Sequence, residues 1–280
     1  MEFSIRCSAI SQIMAGTIGL TDVQQAKHDE LATRKATPGA KPLTVNMEAE
    51  LAELAQRLAN PELPTGAKTY CKKWLKEQLF NRRAEVNSKY IDKGNECEED
   101  GFTLMAVQLK LGMVFKNTLR RSLNGIEGEW DLLVNNVVYD NKASWSLDTF
   151  PMFETKPDPD YVWQLQGYMA LTDAQRSVLA YTLNDATDKL IWDAVRWYDD
   201  HKKRAKIINN MVFTQKGWDI MRSKFCDSVT NFNFTPVPDE QRIKKFDVAR
   251  DNVAIGNIYH RRLMCDSFVN KVLLPSIGKW

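Results

Sequence analysis

The sequence predicts an α/β fold, α+β in its finer class, with a mixed central sheet flanked by helices and extra helices at both ends. Three observations predict it. Residues 128–145 hold two apolar runs on either side of Asn135-Asn136, which is the pattern of a two-residue β-hairpin because Asn tolerates positive φ. Around that hairpin, residues 90–184 read in the order helix, strand, hairpin, helix, strand. Before and after it the apolar spacing is that of helices. A length of 280 residues suits one domain spanning 1–280. Within it we expect an N-terminal helical region (1–89), the core (90–184) and a basic C-terminal helical region (185–280).

Composition narrows the class. Hydrophobic residues make up 44% and charged residues 26%, ordinary for a soluble globular protein. The net charge of +2 is uninformative, but from His201 onward fifteen Lys or Arg face seven Asp or Glu. Such an excess attracts phosphate. The five cysteines, Cys7, Cys71, Cys97, Cys226 and Cys265, include no Cys-x-x-Cys pair. A disulfide framework or structural zinc is therefore not expected, and a reducing cytoplasm is. No apolar run has the length to cross a membrane, and no secretory signal is evident.

The elements follow in order. Ser8 is placed to cap a short helix carrying Ile10, Ile13 and Met14. Thr21-x-x-Gln24 reads as a capping box. Residues 46–59 carry Met47, Leu51, Leu54, Ala55 and Leu58 at helical spacing, and breakers at 60–66 precede a basic amphipathic helix with Trp74, Leu75, Leu79 and Phe80. A helical region over 86–111 and a strand over 113–117 are expected next. After the hairpin comes a proline-rich loop (146–159), then a helix that Asp160 would cap. A strand follows at 176–184, a helix at 188–204, a strand at 241–247 and a terminal helix at 252–274.

The hairpin carries the chemistry. A two-residue turn pairs Val134 with Val137, Leu133 with Val138 and Leu132 with Tyr139. It then sets Asp131 opposite Asp140 and Glu129 opposite Lys142, all on one face. Directly paired residues have Cβ atoms about 5 Å apart. Two aspartates at that range repel, and a divalent cation between them relieves the repulsion.

This arrangement, Asp131, eight residues, then Asp140-Asn141-Lys142, resembles the core of the PD-(D/E)xK nucleases, whose fold is restriction-endonuclease-like. More narrowly it resembles the YqaJ-type (lambda-type) phage recombination exonucleases. A second acid-x-Lys triplet, Glu154-Thr155-Lys156, lacks a preceding apolar strand and runs into Pro157. The absence of clustered cysteines argues against the iron–sulfur branch of RecB-like nucleases.

The resemblance implies further roles. A family glycine followed four residues later by a metal-site Glu matches Gly94 and Glu98, with Glu96 and Glu99 as rivals. The Gln-x-x-x-Tyr element of RecB-like nucleases matches Gln164 and Tyr168, whereas the Gln-x-Gln run of phage exonucleases matches Gln164 and Gln166. Either glutamine would bind phosphate or orient water. Arg6 and Ser8 loosely match residues that hold a 5′-phosphate. The resemblance implies Asp131, Asp140, Glu98 and the Asn141 carbonyl as ligands of Mg²⁺ or Mn²⁺, with Lys142 beside the attacking water. A neutral-base role for that lysine would need a depressed pKa. It also implies exonucleolytic degradation of linear duplex DNA, 5′→3′, in phage-type recombination, by a homo-oligomer such as a trimeric ring that feeds a single-strand annealing protein. An endonuclease, or a non-catalytic DNA-binding protein on the same core, remains the alternative.

Overall fold

The structure, a computed structural model, describes residues 1–83, 89–229 and 231–278. The chain forms two compact units. The first comprises Met1–Arg83 and Gly256–Trp280, the second Ala84–Ile255. The basic C-terminal region is thus divided between them.

The first unit begins with a two-residue strand β1 (Ile5–Arg6), a 3₁₀ turn (Cys7–Ala9) and α1 (Ile10–Met14). The expected Ser8 cap does not form: neither the turn nor α1 takes a side-chain cap, because the 3₁₀ turn already contains Ser8. Helix α2 (Asp22–Ala36) has the expected capping box, with Thr21 and Gln24 bonded reciprocally. Helix α3 (Val45–Ala59) is capped by Thr44, and α4 (Thr65–Phe80) ends at Asn81 in the left-handed region. Phe3 packs on Trp74 of α4 with ring centroids 4.8 Å apart.

The second unit holds the sheet. Helices α5 (Lys89–Glu96) and α6 (Glu98–Gln108) replace the single helical region expected over 86–111, part of which lies outside the described residues. No strand forms at 113–117. Lys110 and Gly112 both take positive φ, 55° and 75°, and turn the chain just before that stretch. A hairpin of β2 (Arg121–Leu123) and β3 (Ile126–Gly128) follows instead. The main sheet has the order β4 (Leu132–Val134), β5 (Val137–Ala143), β6 (Arg176–Thr182), β7 (Ile243–Ala249). The first and last pairs are antiparallel and β5–β6 is parallel. The parallel pair needs a crossover, supplied by α7 (Pro159–Thr172). Its cap is Asp158, two residues before the expected Asp160, with Pro159 at the first helical position.

Alternation along β5 separates two faces. Tyr139 joins Phe102, Met105, Leu132, Val178 and Ala180 in a core under α6. Asp140 points to the opposite face and meets Gln164 of α7. Helix α6 lies close on β5: a Cβ on Gly101 would come 2.2 Å from Asn141 Nδ2.

The helix expected over 188–204 is split into α8 (Asp188–Val195) and α9 (His201–Asn209). Asp200 accepts from the N–H groups of Lys202 and Lys203 and starts a new helix there. With α10 (Gln215–Lys224) and the short α11 (Cys226–Val229), these enclose a separate core around Ile191, Ile208 and Trp218. Helix α12 (Asn252–Phe268) leads from the second unit into the first and continues through a π-helical stretch, Val269–Leu273. In the first unit Arg261 donates to the carbonyls of Ile13 and Gly16, and Arg262 to that of Phe3. Among the described residues no helix is long and apolar enough to cross a membrane.

Candidate active site

The Asn135-Asn136 turn forms as expected, with φ of 49° and 59°, both in the left-handed region that a two-residue hairpin requires. The predicted register holds for three of the five expected pairs, Val134–Val137, Leu133–Val138 and Leu132–Tyr139, and the Asp131–Asp140 and Glu129–Lys142 pairs are not part of the ladder. The ladder stops there. Asp131 precedes β4, and its Oδ2 accepts the Asn141 backbone N–H at 2.7 Å. Glu129, expected opposite Lys142, lies outside the ladder and is exposed.

Asp140 is 1% exposed. Its Oδ1 accepts from Gln164 Nε2 at 3.3 Å. Its Oδ2 has Lys142 Nζ at 2.7 Å but no hydrogen-bond partner of proper angle. Lys142 Nζ also sits 4.8 Å from the centre of the Tyr161 ring, a cation–π contact. Tyr161 in turn meets Tyr181 edge-on, with centroids 6.2 Å apart.

Charge is unbalanced in this cluster. Burial, then the neighbouring Asp140, push the Asp131 carboxyl up to about 7, against the opposing Asn141 N–H and the Lys142 charge. Burial on its own would lower the Lys142 pKa. Asp140 and then Asp131 overcome it and hold the ammonium above the usual lysine range. In this arrangement Lys142 is a cation and not a neutral base.

The remaining expected residues separate clearly. Of the three glutamates, Glu96 is engaged by Thr187 and by Lys189 at the start of α8. Glu99 is exposed. Glu98 alone stands near enough for its charge to act on Asp131, and it is ion-paired to Lys116 at 2.5 Å. Gly94 has open space around it, so the glycine that matters for packing is Gly101, which the sequence reading passed over. Gln164 is buried on Asp140, and its Nε2 also donates to Tyr168 Oη at 2.8 Å. Gln166 lies elsewhere: its Nε2 donates to the Ala249 carbonyl and its Oε1 accepts from the Asp251 N–H, which ties α7 to the end of β7. Arg6 and Ser8 belong to the first unit, where Arg6 has Glu77 at 3.9 Å and Ser8 is exposed.

Lys116 and Tyr161 were not anticipated. Tyr161 lies one turn before Gln164, a spacing that places both on one helix face and so was open to sequence reading. Lys116 carried no local signal.

Among the described residues no three His, Cys, Asp or Glu side chains are grouped to hold an ion. Two carboxylates do converge, one with a buried oxygen that meets only the Lys142 ammonium, at poor hydrogen-bond angle, and the other pushed towards its neutral form. Both features fit a hard dication. Mg²⁺ in particular is held through one or two carboxylates, with water and substrate phosphates completing its shell.

A phage-related exonuclease from Haemophilus somnus 129PT superposes with a TM-score of 0.65 at 21% identity, over 99% of this chain and 97% of the other. The alkaline exonuclease LHK-Exo from Laribacter hongkongensis superposes at 0.53 with 13% identity, over 99% and 94%. LHK-Exo in complex with dAMP gives 0.52 at 11%, over 99% and 95%. The chain shares the fold of these exonucleases. By sequence, no family model and no curated protein matches it. The shared fold is the mixed sheet flanked by helices described above, so the fold class expected from the hairpin and its flanking elements is the one found.

Proposed function

We propose that the chain is a metal-dependent deoxyribonuclease, an exonuclease of linear double-stranded DNA. The observation that carries this reading is the Asp131–Asp140–Lys142 cluster just before β4 and along β5. The fold shared with phage-related and alkaline exonucleases supports it. The dAMP bound to one of them is a mononucleotide of the kind that terminal cleavage releases, which favours exonuclease over endonuclease.

Asp131, Asp140 and the Asn141 carbonyl would hold Mg²⁺ or Mn²⁺, with Glu98 as a further candidate. The ion would stabilise charge on the phosphate and on the leaving oxygen. The chain's own residues do the rest. Lys142 sets a positive charge beside Asp140, where it can attract the scissile phosphate and position water. Gln164, braced by Tyr168, keeps Asp140 Oδ1 in place. Tyr161 covers the Lys142 ammonium and limits its solvation.

The finer reading is 5′→3′ degradation in phage-type recombination by a ring-like homo-oligomer that hands single strands to an annealing protein. It follows from the resemblance of the hairpin motif to the YqaJ-type enzymes. Arg6 and Ser8 are its candidates for gripping a terminal 5′-phosphate. Linear duplex labelled separately at each strand end, with and without 5′-phosphate, is the test, beside closed circular DNA and a solution mass measurement. We expect Mg²⁺-dependent release from 5′-phosphorylated ends and no cutting of circles. Cutting of circles would make the chain an endonuclease, and binding without hydrolysis a DNA-binding protein. Release from 3′ ends would remove the grip by Arg6 and Ser8, and an active monomer would remove the ring.

A further inference from the structure

The third carboxylate near the site is already occupied. Glu98 Oε2 lies 2.5 Å from Lys116 Nζ, with the lysine side chain 44% exposed and the glutamate 29%. Lys116 stands in the irregular segment between α6 and β2, and the charges of Asp131 and Glu129 act on it as well as that of Glu98. Lys110 and Arg120 on the same segment, and Arg121 at the start of β2, are exposed. Each of the three carboxylates has a partner from the chain: Glu98 has Lys116, Asp140 has Lys142, and Asp131 has the Asn141 N–H.

We propose that Lys116 is a displaceable counter-ion of the metal site, pairing with Glu98 until a DNA phosphate draws the ammonium away and Glu98 becomes a metal ligand. The inference rests on the metal-nuclease reading above. Charge balance supports it. With all three carboxylates ionised, as a bound dication would hold them, three carboxylates against two ammonium groups leave one negative charge, the dication turns that into one positive charge, and a phosphodiester neutralises it. The pair is suited to exchange. An ion pair this exposed is held weakly. Lysine carries a compact charge on a flexible stem and can follow a phosphate without rebuilding the backbone. The half-buried Lys142 has less freedom, held between Asp140 and the Tyr161 ring. The two lysines of the site therefore divide the work: one stays with the reacting centre, and the other reports the arrival of DNA.

The test is Mn²⁺ binding by titration calorimetry on the full chain, without DNA, at fixed pH and salt. Wild type, Lys116→Ala, Glu98→Gln and the double variant form a cycle, with Asp140→Asn as control for the site and circular dichroism as control for folding. We expect Lys116→Ala to bind Mn²⁺ about tenfold more tightly, and this gain to vanish in the Glu98→Gln background. If Lys116 acted only by repelling the ion, its removal would help at least as much once Glu98 is gone, and that result overturns the proposal. So does unchanged affinity in Lys116→Ala. A second measurement adds a phosphorothioate duplex: wild type should gain more affinity for Mn²⁺ than Lys116→Ala does, and equal gains would count against displacement. Should wild type show no Asp140-dependent Mn²⁺ binding at all, the metal-nuclease reading fails first and this inference with it.

Discussion

The backbone N–H of Asn141 donates to Asp131 Oδ2 at 2.7 Å, so the strand that carries Asp140 and Lys142 also anchors the other aspartate. One carboxylate is fixed by the peptide between the other two residues of the candidate site. The cluster therefore moves as a unit with β5, and its members should fail together.

Asp140→Ala, Asp131→Ala and Lys142→Ala should each lower kcat for Mg²⁺-dependent DNA hydrolysis by about 10³-fold or more, with the fold retained. Single-turnover digestion beside circular dichroism checks this. Near-wild-type turnover in folded Asp140→Ala would remove the assignment.

Asp131 makes the metal-free protein sensitive to pH. Its folded pKa, about 7, stands above the ordinary 3.8. Between those values the folded chain keeps a proton that the unfolded chain releases. Its stabilisation is complete below pH about 4 and is lost as the pH rises through 7. Asp131→Asn should therefore be more stable than wild type at pH 8 without metal, by ~2 kcal/mol, discounted from the full shift for the side chain's partial exposure. Urea unfolding at pH 4 to 8 measures it, and a slope that survives in the variant would contradict the account.

Lys93 is buried, donates to the Trp145 carbonyl at 2.8 Å and faces the Phe213 ring. Burial pulls its pKa down to about 8, against the opposing charges of Cys97 and Asp185. The unfolded chain then binds more protons above pH 8, so this group's contribution to stability rises with pH from 8 towards 10.5. The Cys97 thiol, pushed up to about 11 mainly by burial, works the other way from pH 9. A net rise is expected between pH 8 and 9, and Lys93→Met should abolish it. Denaturant midpoints across that interval decide the matter.

The two glutamines should separate by phenotype. Gln164→Ala releases Asp140 Oδ1 and should cut kcat by about 10–100-fold with modest loss of stability. Gln166→Ala strands a backbone N–H and a carbonyl, and should cost about 1–3 kcal/mol while sparing kcat. The reverse pattern would mean that Gln166 serves the reaction.

Gly101→Ala places a methyl where Asn141 Nδ2 and Thr182 Oγ1 stand, at 2.2 Å and 3.0 Å. Pushing α6 off β5 should cost about 1–3 kcal/mol and lower activity with it. Thermal melts and assays on the same preparation test both halves.

The hairpin was legible because every signal in it is local. Asn-Asn supplies the turn, alternation supplies the faces, and the register follows from both. The strand expected at 113–117 failed because Lys110 and Gly112 turn the chain beforehand, and the Asn117 N–H goes to the Asp131 carbonyl. The helix over 188–204 ignored Asp200, whose capping chemistry outweighs the apolar spacing on either side. The choice between Gln164 and Gln166 was not legible. Two residues apart on a helix they point different ways, and only the positions of β5 and β7 say which is which. Lys116 meets Glu98 across eighteen positions of irregular chain, and no local pattern encodes that meeting.

Arg262 reaches the carbonyl of Phe3 across 259 positions of sequence. A growing polypeptide leaves the ribosome from its N-terminal end, so Phe3, Ile13 and Gly16 wait for their arginine partners until nearly everything between has been made. The sheet of the second unit can close earlier, once β7 has emerged. For that interval the nascent protein carries a folded sheet and an unfinished first unit, the stage at which a chaperone has most to protect.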